Sequence, residues 1–474
     1  MGIAIVVTPK LVRELGPSRW GIYTIALSLT GMMGLFDFGI GRALTRSVAV
    51  KLGADSKDSA SEVLTGILAL TSIGIAGTLL LALVVDFWTR SALQVPFELQ
   101  GEVRISLYLL CLAMPLVLLN AALFGVLSAY QRQREINLLN IPLMVLYYVG
   151  PLAAFSLYPS LVGIMLVILA MRTIMTYGYW RICLRCLPSL KHARPSLSAL
   201  MPLLRMGSWM TVSNLVLPLL TYIDRFIIAS VVSAAVTGYY VTPNDLASKL
   251  YLIPTAITTS AFPAIAASYG SNPENTINIF RRTMVSIASA VWIPALLIVA
   301  FSPEILQLWL GRDFASHASG VFRIFGLGIM MASADISPGL LDAIGRAKIN
   351  AIFSILELLC YVPLLFIFVK IFGLEGAALA WGLRILVDFL VRLFIAIRYY
   401  PAVASAAVKG SAVVLLGTAL LWLPVLATTT SGKLIACCAG LAIYGFALWY
   451  GSMTSTERSF MRSRILNPQP QIQS

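Results

Sequence analysis

The sequence predicts an all-α polytopic membrane protein, built as two six-helix repeats followed by two C-terminal helices. Three observations carry that expectation. Of 474 residues, 59% are hydrophobic and only 11% charged, less than half the roughly 25% charge of a soluble domain. Apolar runs of about 20 residues recur from end to end, each long enough to cross about 30 Å of hydrocarbon as a helix. Short basic stretches also match when one half of the chain is slid along the other by about 213 residues.

Taken in chain order, apolar runs bounded by charge or turn residues predict helices at 20–41, 63–85, 105–128, 137–157, 160–180, 207–232, 238–267, 283–302, 319–344, 349–372, 376–400, 408–428 and 433–451. Met1 to Thr8 read as the end of one further span, so about fourteen helices are expected, the first incomplete. The expected organisation is a first lobe over 1–190, a cytoplasmic linker over 191–205 and a second lobe over 206–400. Two additional helices follow over 401–452, then a cytoplasmic tail over 453–474.

The formal net charge is +14. When the predicted spans alternate, 22 Lys and Arg fall in loops on one side and ten on the other. The positive-inside rule puts the richer side, and the C-terminus with it, in the cytoplasm. Lys10, Arg13 and Arg19 dissent. In such a chain the cationic surplus points to anionic membrane lipids and not to nucleic acid, for which no motif is present.

The repeat aligns Ala129, Arg132 and Asn137 with Ala343, Arg346 and Asn350, and Arg172 with Arg384. Six helices per repeat is an even number, so both halves insert the same way up. Prolines interrupt many spans, among them Pro142, Pro218, Pro294 and Pro363; each frees a backbone carbonyl and permits a bend.

No catalytic constellation is present. The two histidines, His192 and His317, stand in no nucleophile or metal motif, and no phosphate-binding loop occurs. Cys183 and Cys186 form a CxxC, but zinc needs four ligands and only His192 is near. These features predict a transporter and not an enzyme, with no metal or cofactor, driven either by an ion gradient, with Na+ or H+ as the coupling ion, or by the substrate's own gradient.

The informative residues are ionisable groups inside apolar spans, each costing about 2.5–3.5 kcal/mol at mid-helix. They are Asp37, Asp224, Arg225, Asp245, Lys249, Asp335, Asp342, Glu357, Arg384, Asp388 and Arg392. Arg384, Asp388 and Arg392 follow one another at i, i+4 and i+8 and so form one stripe. Facing lipid, that stripe would be prohibitive. Two readings stay open: its arginines bind a phosphate or diphosphate, or they neutralise Asp388 and lock helices together, as Asp245 would neutralise Lys249. Asp37 and Asp342, near helix ends, are expected to reach the interface.

Two stretches carry a family resemblance. Leu15 to Tyr23 fits the pattern LG-x-x-x-(F/W)-G-x-(Y/W), followed by Asp37, Gly39 and Gly41 in D-x-G-x-G. Ile223 to Arg225 fits (I/V)-D-(R/K), followed by Gly238-Tyr239-Tyr240. The chain resembles the polysaccharide-repeat and O-antigen flippases of the multidrug, oligosaccharidyl-lipid and polysaccharide exporter superfamily. That resemblance implies two lobes around a central cation-rich cavity in the bacterial inner membrane. It also implies a lipid-diphosphate-linked oligosaccharide as substrate, flipped by alternating access, with a polysaccharide polymerase and a chain-length regulator as partners. Arg172, Arg225, Lys249, Arg384, Asp388 and Arg392 are then the candidate substrate contacts, and Asp37, Asp224, Asp245, Asp335 and Glu357 the candidate coupling or ion-pair groups. A multidrug or cation antiporter and a peptidoglycan-precursor flippase are the same-fold alternatives. A glycan polymerase would carry longer external loops than the stretch from Asp86 to Arg104.

Eight apolar residues cannot span the hydrocarbon, so the natural chain is expected to begin upstream of Met1. The intact mass of the natively expressed protein checks this, and a mass matching a start at Met1 counts against it.

Overall fold

The computed structural model describes residues 2–53, 59–452 and 458–459; of the expected tail over 453–474, all but 458–459 lies outside the described residues. Among the described residues every regular element is helical. In order these are α1 (Gly2–Met33), α2 (Ile40–Gly53), α3 (Ala60–Phe87), α4 (Gln100–Leu112), α5 (Met114–Ala129), α6 (Gln133–Leu157), α7 (Leu161–Cys186) and α8 (Leu197–Ile228). They continue with α9 (Thr237–Ala247), α10 (Leu252–Ser268), α11 (Pro273–Leu310), α12 (Arg312–Ala334), α13 (Ser337–Ala343), α14 (Ala347–Tyr399), α15 (Ala404–Leu420) and α16 (Thr430–Ala447).

Among the described residues ten stretches are long and apolar enough to cross a membrane, and α1 with α2 form an eleventh bent by 51°. Two of the ten, Leu215–Ser268 and Ala347–Tyr399, have 54 and 53 residues, each enough for two crossings of about 20 residues. The protein is a multi-pass membrane protein. Large apolar side chains stand on its outside, Leu83 at 80% and Ile435 at 70% exposure, as a lipid-facing surface requires and a water-facing one would not tolerate.

Several boundaries differ from the sequence expectation, each for a local reason. The expected helix 20–41 ends at Met33, because Phe38 and Gly39 are left-handed and turn the chain into α2. The apolar N-terminal stub is continuous with α1 and separated only at Gly16, whose φ of 70° breaks the helix. Pro17 disfavours the helical region for the residue before it, and glycine accepts the alternative most readily. The expected gap between 349–372 and 376–400 reduces to one non-helical residue, Gly373, within α14.

Residues pack into two compact units. The first comprises Met1–Val241 with Leu358–Ala377, and the second Thr242–Glu357 with Ala378–Ser474.

In the first unit the motif residues interlock. A Cβ on Gly21 would lie 2.3 Å from the Ala234 carbonyl oxygen, and one on Gly238 would lie 2.5 Å from Trp20 Cδ1. The tryptophan-glycine pair of α1 therefore fits against the start of α9 with no room for a side chain. Asp37 accepts a hydrogen bond from Gly41 N at 2.8 Å and caps α2, the ordinary work of an aspartate at a helix start. Just past the Gly16 break in α1, Arg19 Nη2 meets Glu102 Oε2 at 3.0 Å, and Glu102 Oε1 also accepts from Leu161 N at 2.6 Å. One carboxylate thus ties α1, α4 and the start of α7.

In the second unit α11 is the central element. Buried Trp292 donates to the Gly417 carbonyl at 2.9 Å and stacks on Tyr444 with centroids 4.6 Å apart. Lys433 Nζ lies 2.5 Å from Glu304 Oε1. These contacts hold α15 and α16 on α11.

The close approach at Gly21 generates a test. Gly21→Val should lower detergent stability by about 1–3 kcal/mol or prevent folding, the usual range for overpacking. Thermal denaturation with the yield of folded protein checks it; an unchanged melting temperature would contradict the packing described.

Candidate functional site

The stripe on the second leg of α14 meets a matching stripe on the first. Arg384, Asp388 and Arg392 share one helical face, and Asn350, Ser354 and Glu357 share another at spacings of four and three. Arg384 Nη1 donates to Glu357 Oε1 at 3.0 Å, and Arg392 Nη2 reaches Glu357 Oε2 at 3.3 Å. Arg392 Nε also donates to Asp388 Oδ1. The remaining donors of Arg392 go to Ser354 Oγ at 3.0 Å and Asn350 Oδ1 at 3.4 Å, and its guanidinium lies 4.8 Å from the Phe353 ring centroid. Arg392 is only 8% exposed. Its planar fork suits this arrangement, since one guanidinium serves several acceptors at fixed angles.

The sequence expectation gave both arginines to Asp388. The structure joins Arg392 to Asp388 and brings Glu357 of the first leg to Arg384 and Arg392. Counting Glu357, two arginines face two carboxylates, so the cluster is charge-balanced and not cationic. Tyr251 lies within electrostatic range of Arg384 and Asp388.

Asp335 stands at the break between α12 and α13, where Oδ1 accepts from Ser337 N at 3.0 Å. Its charge interacts with both Asp388 and Arg392. A cavity of about 330 Å³ opens beside it, lined by Thr258, Thr259, Phe262, Thr283 and Gly339. A carboxylate and three hydroxyl side chains on otherwise apolar walls can bind a small cation or exchange a proton. Asp342 accepts from Asn350 Nδ2 at 2.7 Å in an exposed position. Among the described residues no three His, Cys, Asp or Glu gather as a metal site.

The other candidates fall elsewhere. Asp224 and Arg225 are buried in the first unit. Asp224 Oδ2 accepts from the Tyr240 hydroxyl at 2.6 Å and Oδ1 from Arg225 N at 2.8 Å. Arg225 Nη1 donates to Ser28 Oγ at 2.8 Å and lies over the Tyr222 ring at 5.0 Å. Residues of the D-R and G-Y-Y motifs therefore meet in one hydrogen-bonded network. Asp245 and Lys249 are both exposed. Arg172 is half-buried on α7, near Tyr179, whose hydroxyl donates to Asn140 at 2.8 Å. Among the described residues no carboxylate pairs with Arg172, in contrast to Arg384.

Ser354, Phe353 and Tyr251 escaped the sequence reading. The polar spacing of Asn350, Ser354 and Glu357 in an apolar helix is the signal that points to two of the groups around Arg392; no comparable signal marks Tyr251.

The family model described as Polysaccharide biosynthesis protein matches residues 1–268, and the MatE model matches residues 210–367. The chain is 25% identical over 404 residues to the Putative O-antigen transporter of Shigella flexneri, an alignment covering 82% of this chain and 92% of that one. It is 24% identical over 217 residues to the lipopolysaccharide biosynthesis protein WzxC of Escherichia coli (strain K12), covering 44% and 42%. Among solved structures, an inward-facing MATE family multidrug resistance transporter of the MOP superfamily superposes with a TM-score of 0.67 at 16% identity, covering 85% of this chain and 95% of that one. The lipid II flippase MurJ in an inward closed conformation superposes with a TM-score of 0.65 at 16% identity, covering 97% of each. Those two share the fold. With more than half of its residues inside the first of the two family matches, the chain belongs to the polysaccharide biosynthesis protein family.

Proposed function

We propose that this protein flips lipid-diphosphate-linked oligosaccharide repeat units across the bacterial inner membrane by alternating access, supplying O-antigen, capsule or exopolysaccharide synthesis. It acts as a transporter and not as an enzyme. The observation that carries the reading is the kinship with an O-antigen transporter along 92% of that relative's length. The C-terminus lies in the cytoplasm on this reading. A polymerase and a chain-length regulator are its partners, because a repeat delivered to the outer leaflet must be joined to others.

Arg172 is the proposed diphosphate contact. An uncompensated guanidinium in a largely apolar span is costly, and a diphosphate group offsets that cost with paired charge-assisted hydrogen bonds. Arg384 belongs to the same proposal with a difference: its guanidinium is already shared with Glu357, so substrate must compete with that carboxylate. Two arginines against two carboxylates leave this cluster without net charge, so it does not by itself disfavour a cation as cargo, and Arg172 carries the distinction from a cation exporter. Arg225 and Asp224 hold motif residues together, and Lys249 and Asp245 line the surface. Asp335 beside its cavity is the proposed site for the coupling Na+ or H+, with no other cofactor required.

Deleting the gene should stop surface glycan export and leave the lipid-linked repeat accessible only from the cytoplasmic side; normal export in a strain lacking a second flippase would refute the function. Returned to that strain, Arg172→Ala should reduce export by about tenfold or more, the loss of roughly 1.4 kcal/mol or more of binding. Protein amount should stay normal, and Arg172→Lys should rescue in part. Full export by Arg172→Ala would remove it as a substrate contact.

Arg384→Ala should behave otherwise. It strands part of a buried pair, at a cost of about 3 kcal/mol, and should lower membrane abundance. Arg384→Ala combined with Glu357→Gln should restore abundance. Restored export in that double variant would show that Arg384 is structural, whereas restored abundance without export supports substrate contact.

A further inference from the structure

Each unit carries the same arrangement of cations where its last repeat helix ends. In the second unit Arg346, in the turn before α14, lies with its guanidinium 5.2 Å from the ring centroid of Tyr399 at the end of that helix. Lys348 follows in the first turn of α14 and Arg398 precedes Tyr399; all three cations are exposed. Among the described residues none of the three has a carboxylate partner.

In the first unit Arg132, in the turn before α6, lies within electrostatic range of Cys186 at the end of α7. Arg134 and Arg185 are its exposed neighbours. Arg132 also pairs with Glu135 at 3.1 Å, across one turn in an exposed position. The sequence repeat of about 213 residues carries Arg132, Arg134, Arg185 and Cys186 onto Arg346, Lys348, Arg398 and Tyr399. In both units an arginine of a turn therefore lies near the residue that ends the last helix of the repeat.

The helix surface leading to each cation cluster identifies what it faces. On α14, Val387, Leu390 and Phe394 are all more than 40% exposed and share the face that ends in Arg398. On α7, Leu166, Ile174 and Tyr177 are half exposed or more, and the face continues into Arg181, stacked 5.9 Å over Tyr177, and Arg185. Exposed apolar residues followed by an aromatic ring and then by arginines mark the descent from hydrocarbon to headgroup.

We propose that these two clusters are binding sites for anionic phospholipid headgroups, each taking the phosphodiester of a phosphatidylglycerol or cardiolipin molecule whose acyl chains lie along the exposed apolar face. The charge is complementary, the donors are accessible, and the chains have a surface to cover. The Glu135 carboxylate makes the first cluster the weaker of the two. These residues lie apart from the groups assigned to transport, and the readout below is lipid retention instead of export, so failure of one proposal leaves the other standing.

The test compares lipids retained by the purified full-length protein with those of the source membrane, by mass spectrometry. Wild type should be enriched in phosphatidylglycerol and cardiolipin. The triple variant Arg346→Ala, Lys348→Ala, Arg398→Ala should lose that enrichment by about fivefold or more, since each cation near an anionic surface contributes roughly a fivefold factor. Lysine at 346 and 398 should preserve it. The pair Arg90→Ala and Arg312→Ala removes two exposed arginines elsewhere and should leave it unchanged. Unaltered enrichment in the triple variant overturns the proposal. Equal loss in the Arg90 and Arg312 pair overturns it too, by showing a response to total charge. Displacement of the retained lipid by inorganic phosphate alone would also count against it, because a site that depends on the acyl chains should resist a soluble anion.

Discussion

The architecture depends on one constraint: an ionised side chain inside an apolar bundle must find its partners within the protein. Hydrocarbon offers none. Glu357 meets that requirement for Arg384 and Arg392 together, and Arg392 completes its own set with Asp388, Ser354 and Asn350. The two legs of α14 therefore face each other through polar contacts within a largely apolar helix. In the first unit Asp224, Tyr240, Arg225 and Ser28 solve the same problem. The solution also explains the short motifs, because residues more than a hundred positions apart must meet at fixed atoms.

The spans were legible because membrane thickness filters every helix alike. A run of about 20 apolar residues is visible whatever surrounds it, and the ten stretches of the structure, two of them long enough to cross twice, fall on the expected windows. Their ends were less legible. Nothing in the hydropathy of 20–41 marks the left-handed pair Phe38 and Gly39, and the single break at Gly373 is shorter than the loop expected there.

The partners were the least legible part. Periodicity along one helix suggests Asp388 for Arg384, since i+4 neighbours share a face. The carboxylate that Arg384 meets lies 27 residues away, on the other side of Gly373. Only the fold brings it near. The same limit applies to Asp37, which sequence position assigned to the interface and whose carboxylate caps α2. The glycines of the motifs could be recognised as a pattern, but the reason for Gly21, a carbonyl where its side chain would be, belongs to a contact with residue 234.

The sharing of Glu357 between two arginines bears on how this sequence can drift. A simple ion pair can be exchanged in two steps, acid and base in turn, with one strained intermediate. A carboxylate that serves two guanidiniums is less free: replacing it takes an acceptor from both, and replacing either arginine leaves the acid tied to the other. Descent should therefore lose Glu357 and Arg384 together while Arg392 stays with Asp388, and a lineage that escaped the constraint would bear the trace as a paired turnover of positions 357 and 384.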